Sequence, residues 1–172
     1  VCDTPLFGGL DVAVVGGGNS ALTAAYDLLK VARHVYVVSL GEWTADPVLV
    51  DKVKDAPNLT KLAGFEVVRI EGEERVSGIA LRSLSDPREE KLLGVQGVFV
   101  EIGTVPNSGF VEGFLELNEK GEIKVDCECR TSVPGVFAAG DITDIPEKQV
   151  IVAAGEGAKA ALGAYRYLLM AR

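Results

Sequence analysis

The run Gly16-Gly17-Gly18-Asn19-Ser20-Ala21 directly follows the apolar stretch Val12-Ala13-Val14-Val15. These residue types at this spacing suit a pyrophosphate seat. Gly16 permits a tight turn, Gly18 lets the backbone approach a phosphate closely, and the small Ala21 keeps the ensuing helix near the strand. The helix start offers unpaired N–H groups and partial positive charge, worth ~0.3–1 kcal/mol for each negative charge it meets. A glycine triplet can equally be a strand–helix turn with no ligand, so the flanking elements decide between the two. A second segment, Thr131-Ser132-Val133-Pro134-Gly135-Val136-Phe137-Ala138-Ala139-Gly140-Asp141, ends in an aspartate. Its carboxylate could accept a ligand hydroxyl or cap a turn.

The elements around the first motif support the ligand reading. Asp11 to Val15 reads as a buried parallel strand. Ser20 to Val31 has a helical pattern, with Leu22, Ala25, Leu28 and Leu29 on one face. His34 to Leu40 is a second β-rich run, which completes a βαβ unit. In such a unit an acid near the end of the second strand binds the ribose 2′-hydroxyl of NADH, and a basic residue favours the 2′-phosphate of NADPH. This chain has Ser39-Leu40-Gly41-Glu42 there, with no arginine. Glu42 would repel a phosphate, so NADH is favoured over NADPH; the alternative is a solvated loop carboxylate.

Further along, Asp46 to Lys54 reads as a short helix ended by Pro57. Phe65 to Ile70 and Val76 to Arg82 alternate as an antiparallel pair around a carboxylate-rich turn, and Gly97 to Ile102 is another apolar strand. Gly103-Thr104-Val105-Pro106-Asn107-Ser108 is rich in turn formers and marks a boundary. The expected domains are 1–105, binding NAD(P), and 106–172. The second part offers short strands at Glu122 to Val125 and Val136 to Ala139, then a long Ala- and Gly-rich helix from Val150 to Met170. That is too few elements for a dinucleotide domain of its own, so this half is expected to complete a sheet whose other strands lie elsewhere.

Composition sets outer limits. The chain has 172 residues, 48% hydrophobic and 24% charged, in the range of an ordinary globular protein. A net charge of −8 argues against nucleic acid and anionic membranes as partners. No apolar run reaches the ~20 residues of a membrane span. Three cysteines do not make a disulfide framework, and a reducing, cytoplasmic setting is expected. Cys127 and Cys129, read on a strand, would share one face. No further Cys or His cluster completes a zinc set, so no metal is expected and ordinary packing accounts for them. His34 is the only histidine, at a strand start. Trp43 is either a loop anchor or a surface for adenine.

The chain resembles the pyridine-nucleotide half of the low-molecular-weight thioredoxin reductase family, and within it the alkyl hydroperoxide reductase flavoproteins. The resemblance rests on Cys2-Asp3 with the Val12 to Ala21 motif, on Phe99-Val100-Glu101-Ile102-Gly103 with Pro106-Asn107, and most specifically on Thr131 through Asp141 with Lys148-Gln149 and Ala153-Ala154-Gly155-Glu156-Gly157-Ala158. It implies an α/β fold: a Rossmann-like NAD(P)-binding domain of the two-dinucleotide flavoprotein type, plus the C-terminal part of an FAD-binding domain. It implies hydride transfer from NAD(P)H to FAD, then to a Cys-x-x-Cys disulfide that serves a thioredoxin-like, glutaredoxin-like or peroxiredoxin protein. Cys2 would be the flavin-proximal sulfur and Asp3 its proton donor. Gly16 to Ala21, Ile102 and Gly103 would face the nicotinamide nucleotide. Gly140, Asp141, Lys148, Gln149 and Val150 would face the flavin. The family's first cysteine and upstream FAD motif have no counterpart here, so the chain reads as a fragment completed by an upstream polypeptide, inactive alone, and the enzyme as a homodimer. Two other readings stay open: an NAD(H)-binding module without flavin or turnover, and a ferredoxin–NAD(P) reductase of related fold, which would have no need of Cys2.

Overall fold

The computed structural model describes residues 3–170, so Cys2 lies outside the described residues. The chain divides after Gly103 into two compact units. In the first, β1 (Asp11–Val15) leads through the glycine turn into α1 (Asn19–Leu28) and returns as β2 (His34–Ser39). A short helix α2 (Pro47–Val53) precedes β3 (Leu59–Ala63), then β4 (Phe65–Gly72), β5 (Val76–Ser83), β6 (Glu90–Leu93) and β7 (Gly97–Val100). A four-stranded sheet of order β3-β2-β1-β7 is parallel throughout, while β4-β5-β6 form a separate antiparallel sheet.

Alternation along β1 explains the layering. Val12 and Val14 pack with Ala21, Ala24, Ala25 and Leu28 of α1 and with Val35, Val37 and Phe99. Ala13 faces the other way, with Val38, against Ile79 and Leu81 of the antiparallel sheet. Both faces of the parallel sheet are therefore covered, which is why β1 reads as an unbroken apolar run. Burying Leu22 and Leu28 completely stabilises this layer by roughly 1.5–3 kcal/mol each. His34, at the start of β2, is structural: its Nε2 lies 2.8 Å from Thr60 Oγ1 and its ring stacks at a tilt on Tyr36.

Several local readings need correction. The helix read as far as Val31 ends at Leu28, and α2 ends at Val53, before Pro57. Neither Glu122 to Val125 nor Val136 to Ala139 is a strand. Each contributes isolated bridges, Ile123 to Leu117 and Thr143, and Phe137 to Arg130. Asx-type hydrogen bonds hold this stretch instead: Asn118 Oδ1 accepts from the N–H of Lys120 and Glu122, and an Asp126 carboxylate oxygen accepts from the N–H of Glu128 and Arg130. The Cys-x-Cys does not alternate either. Cys129 has φ of +63° and is buried, while Cys127 is exposed.

The second unit closes with α3 (Val150–Met170), of the length expected. It packs through small residues. A Cβ at Gly163 would lie 2.7 Å from Phe137 Cε1, so the helix approaches the loop as closely as only glycine permits. Leu162, Tyr165, Leu168 and Leu169 on its outer side remain exposed, as does Met170 at its end. Among the described residues no helix is long and apolar enough to cross a membrane.

Candidate functional site

The glycine turn sits across the C-terminal ends of the parallel strands. The Gly16 N–H donates to the Val38 carbonyl at 2.8 Å, and the Glu101 N–H donates to the Val15 carbonyl at 2.8 Å. Gly16 has φ of +139°, and a Cβ there would lie 2.3 Å from the Glu101 oxygen and 3.2 Å from Ala21 Cβ. Glycine is thus required at this position, and the facing residue must be small. Gly18 differs. Its backbone is extended (φ −92°, ψ −171°), and an added Cβ would meet only Thr44 Oγ1, at 3.9 Å. The fold leaves room above Gly18 that it does not itself use. Helix α1 begins there without a side-chain cap, and its first backbone bond runs from the Leu22 N–H to the Gly18 carbonyl. The N–H groups of the first turn are left to an outside acceptor.

A cavity of about 630 Å³ opens at this point. Its walls bring together Gly16, Gly17, Gly18, Asn19, Ser20, Glu42, Ile102 and Gly103, all expected from the sequence at a nucleotide. Ala21 lies fully buried behind the turn. The volume falls in the range of small-molecule and cofactor sites, and the position, beyond the carboxyl ends of parallel strands, is where open α/β sheets bind ligands. The walls also include Val38, Ser39, Thr44, and Phe65, Glu66 and Val67 of β4. Sequence reasoning missed the β4 residues because that strand belongs to a different sheet, and its contribution is a tertiary fact.

Asn19 has a structural task in this arrangement. Its Nδ2 donates to an Asp46 carboxylate oxygen at 2.9 Å, and its Oδ1 accepts from the Asp46 N–H at 2.8 Å. The Thr44 N–H donates to the Gly17 carbonyl at 2.8 Å. The loop after β2 is thereby pinned to the glycine turn. Trp43 anchors it from below, half-buried against the core of the first unit. Glu42 stands at the rim, 83% exposed, and pairs with Lys61 Nζ of β3. The ammonium group also lies 4.8 Å from the Trp43 ring centroid. At the opposite end of β1, Arg33 grips Asp11 through two hydrogen bonds of 2.7 and 2.6 Å, which hold that carboxyl below its ordinary pKa.

In the second unit the residues expected at a flavin come together around the start of α3. The Gly140–Thr143 turn is closed by Thr143, whose N–H and Oγ1 both donate to the Gly140 carbonyl. Gly140 has φ of +83°, and a Cβ there would be 3.5 Å from Ala153 Cβ, so the turn lies on the first turn of the helix. Lys148 locks the two. Its Nζ donates to the carbonyls of Asp141 and Thr143 and pairs with Glu122 at 3.0 Å. Hydrogen bonds from Asn118, then from Lys148, push the Glu122 pKa down. Lys148 therefore positions the turn through its ammonium group. The Asp141 carboxylate is exposed and, among the described residues, takes no hydrogen bond. Gln149 and Val150 are also exposed.

Two further features lie outside the expected set. A concavity of about 540 Å³ between the Thr131–Gly135 loop and the end of α3 contains none of the expected flavin contacts. Cys129 is enclosed, with Sγ 3.4 Å from a carboxylate oxygen of Glu156 on α3; burial first, and then that carboxylate, raise the thiol pKa. Asp3, at the other end of the chain, is exposed and opens a 3-10 turn over Thr4–Phe7.

A parallel sheet with a glycine turn and an uncapped helix at its carboxyl edge defines a Rossmann-like dinucleotide-binding domain. The chain belongs to the pyridine nucleotide-disulphide oxidoreductase family, whose model matches residues 4–157. It is 44% identical over 169 residues to the F component of alkyl hydroperoxide reductase from Staphylococcus aureus (strain MSSA476), covering 98% of this chain and 33% of that protein. It is 48% identical over 169 residues to an NADH dehydrogenase of Bacillus subtilis (strain 168), with 98% and 33% covered. Among solved structures, thioredoxin reductase from Streptococcus pyogenes MGAS5005 superposes with a TM-score of 0.85 at 31% identity, over 98% of this chain and 55% of that one. The chain thus spans about a third of the length of the curated relatives it matches.

Proposed function

We propose that the first unit binds NADH and the second supplies one wall of an FAD site, as parts of a flavin-dependent pyridine nucleotide–disulfide reductase. The observation that carries this reading is the unfilled room at Gly18, beside the uncapped start of α1 and inside the larger cavity. Backbone N–H groups there suit a pyrophosphate, which needs close approach and several donors at once. All residues that line this cavity belong to the first unit, which favours nucleotide binding even where no flavin is held.

With both groups bound, the cofactors would supply hydride transfer from nicotinamide to flavin and two-electron reduction of a disulfide. The chain's own residues hold and shield. Gly16 shapes the turn, Gly18 admits the phosphates, and Asn19 fixes the loop that carries Glu42. Ile102 and Gly103 border the cavity from the end of β7. In this reading the exposed Asp141 carboxylate accepts a hydroxyl of a flavin side chain, on a turn that Gly140 and Lys148 hold beside the start of α3. Gln149 and Val150 begin the helix whose N–H groups favour negative charge on a reduced ring. In this reading Cys2 is the flavin-proximal sulfur of a Cys-x-x-Cys pair and Asp3 moves its proton. The acceptor is a thioredoxin-like, glutaredoxin-like or peroxiredoxin protein, the enzyme a cytoplasmic homodimer, and an upstream polypeptide completes the FAD domain. The exposed apolar side of α3 is surface that such additional chain would cover. The relatives named for alkyl hydroperoxide and thioredoxin reduction support the acceptor class, and the one named for NADH supports the coenzyme.

Energy transfer tests the reading. Trp43 is the only tryptophan and packs beside Gly17, so NADH in the cavity should quench it and emit in its place. Saturable transfer with one NADH per chain is expected. No transfer at millimolar NADH overturns the assignment.

A further inference from the structure

Glu42 has a counter-charge that no sequence pattern announces. Lys61 sits on β3 opposite Val37 of β2, nineteen positions beyond Glu42, and its Nζ donates to Glu42 Oε2. The lysine side chain is 35% exposed against 83% for the glutamate, so the ammonium group is the better fixed partner. The Trp43 ring beneath it, 4.8 Å away, holds it further by cation–π attraction. The other carboxylates on the cavity wall are Glu66 and Glu101, and Glu66 is engaged by Arg82 at 3.2 Å. Among the described residues lining the cavity there is no lysine or arginine.

From this arrangement we propose that Glu42 and Lys61 act as a coupled discriminator of the coenzyme 2′ position. This deepens the nucleotide assignment above and rests on it. Lys61 engages one carboxylate oxygen and leaves the other to accept the ribose hydroxyls of NADH. Lys61 is a positioning residue in that state. With Glu42 in place, its charge is neutralised and a 2′-phosphate meets a carboxylate. If Glu42 loses its charge, Lys61 becomes the nearest cation to the 2′ position and attracts the phosphate instead. Preference for the hydroxyl form is therefore conditional: the chain already contains the cation an NADPH site needs, held in check by one glutamate.

The test is a four-variant titration of the whole chain with NADH and with NADPH, read by transfer from Trp43 and checked by calorimetry. Wild type, Glu42→Gln, Lys61→Met and the double variant are compared. Both side chains are at the surface, so folding is not at risk, and thermal melting confirms it. Wild type should bind NADH at least tenfold more tightly than NADPH. Glu42→Gln should tighten NADPH roughly tenfold, equal to ~1.4 kcal/mol. Lys61→Met alone should weaken NADH about two- to threefold, in keeping with an exposed ion pair. The decisive result is the double variant, which should lose the NADPH gain. If Glu42→Gln tightens NADPH equally with and without Lys61, or does not tighten it at all, the coupled discriminator is wrong while NADH binding still stands. If neither nucleotide binds wild type, the site assignment fails, and this inference with it.

Discussion

Gly18→Ala separates a ligand's need for glycine from the fold's need. The new methyl group would meet only Thr44 Oγ1 at 3.9 Å, an ordinary contact, and the backbone there is extended, which any residue adopts. Two small effects on stability oppose each other. Alanine lowers the entropy of the unfolded chain, stabilising by ~0.4–1 kcal/mol. It is also a poorer residue than glycine at a helix N-cap, by ~0.5–1 kcal/mol. Their sum is near zero, so the melting temperature should move by no more than ~2–4 °C. Binding should respond differently. Hydrogen bonds from backbone N–H to a charged phosphate are worth ~1.5–3 kcal/mol each. A methyl group that displaces the phosphate from one of them should weaken NADH about 10- to 150-fold. Calorimetric titration against wild type, with a melt of the same sample, measures both. An unchanged dissociation constant would refute close phosphate approach at Gly18. A collapse of stability would refute the claim that the fold leaves this position free.

Four other outcomes follow from the same geometry. Gly16→Ala should fail to fold or lose more than ~3 kcal/mol, because its Cβ would enter a backbone carbonyl at 2.3 Å and φ is +139°; chemical denaturation checks it. Gly163→Ala should destabilise by about 1–3 kcal/mol through the clash with Phe137, seen as a lower denaturant midpoint. Lys148→Met should destabilise by about 1 kcal/mol, after discounting for solvent. Glu122 has its pKa lowered on folding, so that contribution is full above the unfolded value of ~4.3 and disappears as pH falls through the folded value; denaturation at pH 7 and pH 3 should show the difference shrinking. Iodoacetamide at pH 8 should alkylate exposed Cys127 readily and Cys129 only on unfolding, as peptide masses would show, because burial and Glu156 keep that thiol protonated.

The elements that sequence reasoning found are those with a clean period and both ends marked. The strand Asp11–Val15, the helix after it and the strand from His34 form one continuous local unit, and α3 carries a run of Ala and Gly between Ala153 and Ala164. The glycine motif was legible for the same reason, since strand, turn and helix all lie within adjacent residues. Two strands were missed. β3, Leu59-Thr60-Lys61-Leu62-Ala63, and β6, which starts Glu90-Lys91, are edge strands. Edges tolerate the charged residues that hide a strand pattern. The two stretches wrongly read as strands, around Ile123 and Phe137, have β-like composition but are shaped by side-chain-closed turns. The same limit applied at the site. Glu42 was visible from its place after β2, yet its partner Lys61 was not, because parallel pairing of β2 with β3 brings them together. Nor does the sequence disclose that the Asn19 side chain ties the loop at Asp46 to the glycine turn, or that Lys148 ties the Asp141–Thr143 turn to Glu122, since each bond joins segments that only the tertiary fold brings together.

The central claim is that a dinucleotide pyrophosphate rests on the first turn of α1. A crystal structure of this chain grown with NADH tests it most directly. The account predicts pyrophosphate oxygens within hydrogen-bonding distance of the Gly18, Asn19 or Ser20 N–H, with the adenosine ribose beside Glu42. Nucleotide bound at another surface, or a glycine turn closed over by its own side chains, would contradict it.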